Sequence, residues 1–289
     1  MATPVRVFVE LAKPRIVMLV IVTVVAGFLV APGTPEAVAV TLAHAVIGTA
    51  LVAAGTNALN QVAERDVDAV MRRTQARPLP TGRIDARRAR GFAWAAGGLG
   101  VAYLAVMVNG LTAVLAAATL VSYVYVYTPL KRRTTFATVI GAVPGALPVL
   151  GGWAAAGAPL TRNAWALFWI LFLWQLPHFL ALAWIYRDDY RRAGLRMLSV
   201  NDPDGRRTFR QAVVYSLALL PVSLAPTLGG VAGAPYFVGA LVLSLWLIWA
   251  SVRALRGVSD RNAGRLFAAS VTYLPVLLGL MVLDKLAQL

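Results

Sequence analysis

Cysteine is absent from the chain, which excludes disulfides and thiolate metal sites and leaves the compartment unassigned. Charge is sparse too, only 13% of 289 residues. Roughly a quarter is usual for a soluble domain, so a single water-soluble core is excluded. Acidic residues are the scarcer sign, 12 against 27 Lys and Arg, for a net charge of +15. What fills the chain is apolar: 59% of residues are hydrophobic and the mean hydropathy is +0.71. This length accommodates roughly eight to ten membrane spans of about 20 residues each. The expected class is all-α, a polytopic integral membrane bundle, with residues 1–289 as one domain.

Nine apolar segments can be marked, at about residues 15–31, 37–62, 90–109, 112–128, 136–157, 163–186, 210–229, 234–254 and 266–284. The run from Ile16 to Ala31 has no small-residue cleavage site before Pro32, so it reads as a retained first helix rather than a signal peptide. The joints near Pro32–Pro35, Gly110 and Gly229–Ala234 are short and free of Lys and Arg. The other connections hold 25 of the 27 basic residues; only Arg162 and Lys285 fall on the opposite side. The positive-inside rule makes the basic side cytoplasmic, in a plasma (inner) membrane, with the N-terminus inside and the C-terminus outside. Basic residues at the ends of apolar stretches are a topology signal, and no nucleic-acid partner is expected.

Ten of the twelve acidic residues share that side, all but Glu36 and Asp284. They concentrate in the loops after helices 2 and 6, which are long enough to form a cytoplasmic cap. Each of those helices ends in an Arg-Asp pair followed by an Arg-rich loop, the outline of an internal repeat. Asn60, Glu64 and Asp68 are four apart at the end of helix 2 and form one stripe, rising about 6 Å per step. Asp66 faces elsewhere. Three oxygen-bearing side chains in line suit Mg²⁺, which takes one or two carboxylates and completes its shell with water and phosphate oxygens. Solvated charges at a frayed helix end are the plainer reading. Against it, the stripe begins inside an apolar segment, where ionisable groups are costly. Arg72, Arg73 and Arg77 follow it, a cluster of phosphate-pairing guanidiniums. Together they read as a metal-diphosphate site.

The Asn-x-x-x-Asp-x-x-x-Asp pattern resembles the first motif of the intramembrane prenyltransferases typified by 4-hydroxybenzoate polyprenyltransferase. Within that superfamily the chain is most similar to the protohaem IX farnesyltransferase (haem O synthase) branch. That similarity rests on Lys13-Pro14-Arg15-Ile16, Met71-Arg-Arg73-Thr74-x-x-Arg77-Pro78 and Tyr127-Thr128-Pro-Leu130-Lys131-Arg132. It continues in Gly145-Ala-Leu-Pro148-Val-Leu-Gly151-Gly-Trp153, Trp174-Gln175-Leu-Pro177-His178-Phe179 and Asp189-Tyr190-Arg-Arg-Ala193-Gly194-x-x-Met197-Leu198-x-Val200. The resemblance runs from residue 13 to about 200, and the last three helices add nothing specific. Glu64 stands where the superfamily usually has Asp. The second motif, which normally repeats carboxylates four apart, has Ile185 at that distance and the adjacent pair Asp188 and Asp189.

The resemblance implies transfer of farnesyl from farnesyl diphosphate to a vinyl group of haem b, with addition of water, giving haem o. It implies catalytic Asn60, Glu64, Asp68 and Asp189, Mg²⁺ at Asn60, Glu64, Asp68, Asp188 and Asp189, and diphosphate binding by Arg73, Arg77, Lys131 and Arg132. It places haem against His178, Trp174 and Gln175, the lipid bilayer around the bundle, and the downstream haem-modifying enzyme as a partner. An allylic cation would favour aromatic faces such as Tyr123, Tyr125 and Tyr127, which equally suit an interfacial aromatic belt. His178 also suits an interhelical hydrogen bond, and His44 reads as structural. Gly141, Gly145, Gly151 and Gly152 most simply permit close helix packing. Two rivals are a sister enzyme prenylating an aromatic or quinone precursor and a transporter for an anionic substrate, although the polar groups gather at helix ends rather than at the midplane.

Overall fold

The computed structural model describes residues 4–32 and 38–287. The start of the second segment at residue 37, Glu36 and most of the Pro32–Pro35 joint lie outside the described residues. Elsewhere each apolar segment has become a helix. In chain order these are α1 (Pro4–Ala12), α2 (Pro14–Val30), α3 (Val38–Ala63), α4 (Arg65–Val70), α5 (Ala86–Met107) and α6 (Gly110–Val121). α6 continues through a π turn (Ser122–Tyr127) into the short α7 (Thr128–Leu130). The remainder are α8 (Ala137–Ala155), α9 (Arg162–Ile185), α10 (Arg187–Arg192), α11 (Arg206–Leu228), α12 (Ala234–Arg256) and α13 (Asp260–Leu286). The chain is a multi-pass membrane protein. Among the described residues, seven helices are each long and apolar enough to cross a bilayer, and α1 with α2, bent by 48°, make up to eight. α5, with Arg87, Arg88 and Arg90 in its first turns, is the further rod that corresponds to the third apolar segment.

Hydropathy and helix ends differ in a regular way. α11 and α13 start at Arg206 and Asp260, four and six residues before the apolar runs marked at 210 and 266. Backbone groups in lipid must be satisfied within the segment, and helices therefore continue into polar sequence. Ser259 caps α13 by accepting from the Asn262 amide.

α8 is central: 67% of its best apolar window is buried, against 22% for α3. Small residues let its neighbours approach. A Cβ added at Gly152 would collide with the Val24 carbonyl of α2, one at Gly145 with the Gln175 amide of α9, and one at Gly141 with the Tyr127 ring. Three of the four glycines read as packing residues act so. Gly151 does not, since a Cβ there meets nothing within 4 Å.

Two apolar clusters result. One joins α2, α8, α9, α11, α12 and α13, and the other joins α1, α3, α5 and α6. A third, small cluster of Val67, Met71, Tyr190, Leu195 and Met197 packs the loop after α3 against the loop after α9. The two halves are alike here: α3 breaks at Glu64 and resumes as the six-residue α4, and α9 breaks at Tyr186 and resumes as the six-residue α10.

Overpacking a close helix contact costs about 1–3 kcal/mol. Gly152→Val is therefore expected to lower the thermal unfolding midpoint in detergent by several degrees. Gly98→Val, on an exposed face of α5 with nothing near its Cβ, should leave it nearly unchanged.

Candidate active site

The acidic stripe survives the break between α3 and α4. Glu64 N–H donates to Asn60 O (2.9 Å) and Asp68 N–H to Glu64 O (2.8 Å), so the four-residue spacing keeps its register. Asp66 turns outward and pairs with Arg65 (3.6 Å). Each oxygen-bearing side chain of the stripe meets one cation. Lys131 Nζ sits 2.8 Å from Glu64 Oε1, Arg77 Nη1 lies 2.8 and 2.7 Å from the two oxygens of Asp68, and Lys13 Nζ donates to Asn60 Oδ1 at 3.3 Å. The Asn60 amide donates in turn to Glu64 Oε2 (2.9 Å) and Thr128 Oγ1 (3.2 Å). Asp68 is fully buried.

Burial pushes Glu64 toward its neutral form, but the Lys131 charge and hydrogen bond, with the Asn60 amide, hold its carboxyl below the ordinary range. Burial would likewise strip Lys131 of its proton, yet Tyr127 and Glu64 beside it hold the ammonium above its usual value. Lys131 also lies 4.5 Å over the Tyr127 ring.

Lys13 was not expected at this site. It is the one non-glycine residue with a positive φ (54°) among those described, at the bend between α1 and α2. The left-handed conformation costs about 1–2 kcal/mol. Two side chains of α3 hold the bend: Gln61 donates to Leu11 O (2.7 Å) and Asn57 to Ala12 O (3.0 Å), satisfying carbonyls that the end of α1 leaves unpaired. Its sequence signals were its place in the Lys13-Pro14-Arg15-Ile16 segment of the resemblance and at the edge of an apolar run, neither of which assigned it to the carboxylate stripe.

The second acidic pair divides. Asp189 is buried and accepts from the Arg72 and Arg73 amides (3.4 and 3.3 Å) and from the Arg192 guanidinium, joining the two loops. Asp188 is exposed and pairs with Arg191 (2.7 Å). Arg73 lies 4.9 Å over the Tyr186 ring, and Arg132 is exposed.

Above the stripe, between the two large apolar clusters, is a cavity of about 450 Å³. Asn57 and Tyr123 line it near the charged end, and Trp174, Gln175 and His178 line it from α9. Residues three and four apart share a helix face, so Tyr123 and Tyr127 both turn inward, 5.2 Å apart. Tyr125 points out and stacks on Trp94. α13 supplies what its sequence did not advertise. Ser270 O accepts from Trp174 Nε1 (2.7 Å), and Ser270 Oγ lies 2.9 Å from His178 Nδ1. Because that hydroxyl donates to Phe267 O (2.6 Å), it accepts from Nδ1–H, which leaves His178 Nε2 with its lone pair. Gln175 is committed to Ala142 O and Leu171 O (2.9 and 3.0 Å). His44 bonds Tyr103 (2.7 Å) away from the site.

No group of three or more His, Asp or Glu side chains converges among the described residues. Magnesium needs only one or two carboxylates when phosphate oxygens complete its shell, and the adjoining Asn60 and Glu64 with Asp68 one turn on are donors of the right kind.

Buried carboxylates matched to cations beside an apolar cavity suit an isoprenoid diphosphate. The UbiA prenyltransferase family model matches residues 19–273, and the chain belongs to that family. Its relatives narrow the branch. It is 48% identical to the protohaem IX farnesyltransferase of Solibacter usitatus over 97% of this chain and 99% of that one. It is 45% identical to the protohaem IX farnesyltransferase of Koribacter versatilis over 98% and 94%. Solved structures share the fold. A digeranylgeranylglyceryl phosphate synthase matches with a TM-score of 0.81 at 15% identity, over 98% of this chain and 99% of that one. An Archaeoglobus fulgidus UbiA homologue bound to DMAPP and Mg²⁺ matches with a TM-score of 0.66 at 18% identity, over 95% and 98%.

The lowered Glu64 carboxyl stabilises the folded state above the ordinary glutamate pKa of about 4.3. That contribution is lost as pH falls through the lower folded value. Thermal unfolding in detergent should therefore show wild type losing stability below about pH 4, with Glu64→Gln less stable at neutral pH and flatter across that window. Parallel pH profiles would refute it.

Proposed function

We propose that the protein transfers the farnesyl group of farnesyl diphosphate to a vinyl group of haem b, with addition of water, to give haem o and diphosphate. The observation that carries this reading is the cluster of Lys13, Arg77 and Lys131 on Asn60, Asp68 and Glu64 at one end of an apolar cavity whose wall includes His178. Relatives at 48% and 45% identity with the corresponding name support the choice of acceptor.

In this reading Asn60, Glu64 and Asp68 would hold Mg²⁺, which when bound would supply positive charge at the diphosphate. Arg73, Arg77, Lys131 and Lys13 bind its oxygens and neutralise the negative charge that grows as the C1–O bond breaks and its electron pair leaves with oxygen. Asp189 anchors the turn that presents Arg73. The prenyl chain lies in the cavity, and the allylic cation faces Tyr123. The vinyl π pair forms the new bond to C1. Water then adds to the cation left beside the porphyrin ring and gives up a proton, leaving the hydroxyl of haem o. His178, oriented by the Ser270 bond to Nδ1, keeps its Nε2 lone pair to ligate the acceptor iron or orient the acceptor. The product would pass to a downstream haem-modifying enzyme.

Incubation of the purified protein with haem b, farnesyl diphosphate and Mg²⁺ should yield haem o by mass spectrometry. Asp68→Asn and Arg77→Met should each lower kcat/KM about a hundredfold, the usual scale for losing one preorganised charge. Prenylation of 4-hydroxybenzoate and not haem would overturn the acceptor assignment.

In this reading the basic loops support an orientation with residues 64–85 and 186–205 on the cytoplasmic side of a plasma (inner) membrane, in a bundle of nine spans. The cysteine-free chain makes this directly testable. A single cysteine at Gly230 should react with a membrane-impermeant maleimide on intact cells, and one at Gly82 only after lysis; the reverse pattern would sink the orientation.

A further inference from the structure

A glycine inside a helix costs about 0.5–1 kcal/mol relative to alanine, and in α8 that cost has a packing reason at most positions. Gly141, Gly145 and Gly152 lie against Tyr127, Gln175 and Val24. Gly151 lies against nothing, and the space in front of it belongs to the cavity. Its missing side chain leaves volume there rather than admitting a neighbouring helix.

The depth of that position is informative. Gly141 packs on Tyr127, whose ring lies under Lys131, so it marks the level of the charged end. Ten residues further along α8, at ~1.5 Å per residue, Gly151 stands about 15 Å deeper. A farnesyl chain, eleven carbon–carbon bonds of ~1.5 Å each set zigzag, extends about 14 Å. Asn109 Nδ2 donates to Ala154 O at 2.8 Å, which sets the start of α6 beside the end of α8. Thr112, three residues beyond Asn109, thus reaches the level of Gly151, three residues before Ala154. It lines the same cavity, and its buried hydroxyl has no hydrogen-bond partner among the described residues.

We propose that Gly151 sets the length of prenyl chain the cavity accepts, leaving room at its deep end for the third isoprene unit. This rests on the reading of the cavity as the prenyl site. A leucine at 151 would occupy the place of the terminal isoprene and leave the first two undisturbed.

The test compares geranyl, farnesyl and geranylgeranyl diphosphate on wild type, Gly151→Ala, Gly151→Leu and the lipid-face control Gly98→Leu. Affinity is measured by calorimetry with Mg²⁺ and no acceptor, and turnover by mass spectrometry with haem b. Gly151→Leu should shift the farnesyl-to-geranyl ratio of both quantities at least tenfold toward geranyl, with Gly151→Ala in between and Gly98→Leu unchanged. Equal loss for all donors, or an unchanged ratio, would overturn the proposal. If the leucine variant fails to fold, the alanine variant carries the same comparison. Failure of wild type to modify haem, with donor binding intact, would count against the acceptor and leave the length gauge to be judged on affinities.

Discussion

Glu64 and Lys131 meet where water is largely excluded, at the junction of α3, α4 and α7. An unpaired charge in such a place costs several kcal/mol, so neither side chain is tolerable there without the other. Removing one partner of a buried pair typically costs about 3–5 kcal/mol. The pair therefore obliges the end of α3 and the end of α6–α7 to finish at the same level, 67 residues apart in sequence. Asp68 with Arg77 does the same for the loop that follows, and Asp189 ties that loop to the one after α9. Apolar residues of similar volume often stabilise such positions as well as ion pairs do. What ion pairs add is exchangeability. A divalent cation competes for the carboxylates and a diphosphate for the ammonium and guanidinium groups, so each charge has a second partner to move to.

The same bundle solves an opposite problem a few turns away. Lipid-facing helices gain nothing from hydrophobic sorting, so they associate through close backbone approach and interhelical hydrogen bonds. α8 uses glycine for the first, and α9 uses Gln175, Trp174 and His178 for the second. Tight contact on those faces is what allows an apolar cavity to stand between the two clusters without the helices collapsing into it.

How much of this could be read from the sequence depends on the range of the interaction. The apolar segments and the Asn60–Glu64–Asp68 stripe were legible because each is a local pattern, and the stripe kept its spacing through a helix break. Arg73, Arg77 and Lys131 were legible as phosphate-binding types, but their pairing with particular carboxylates is tertiary. Lys13 was hidden because its place depends on a left-handed backbone and a 48° bend, neither visible in hydropathy. α1 was hidden because nine residues interrupted by Arg6 and Glu10 are too short to be marked as an apolar segment. Ser270 was invisible because serine in an apolar helix carries no motif; its role appears only when α13 lies beside α9. The inference that all four glycines of α8 serve packing failed at Gly151, since composition does not say which face of a helix a residue occupies.

The π turn from Ser122 to Tyr127 widens one coil of α6 by a residue. The Thr128 amide reaches back five residues to Tyr123 O, and the Thr128 hydroxyl shares that acceptor at 2.9 Å. Each helical residue turns the chain by about 100°. Everything beyond the turn, including Thr128 against Asn60 and Lys131 against Glu64, is therefore aimed by the presence of that one extra residue. Loops elsewhere in the molecule can lengthen or shorten at small cost. This stretch cannot: its residue count is as much a part of the site as its side chains, and a single insertion or deletion would swing the ammonium out of the cleft with every residue type intact.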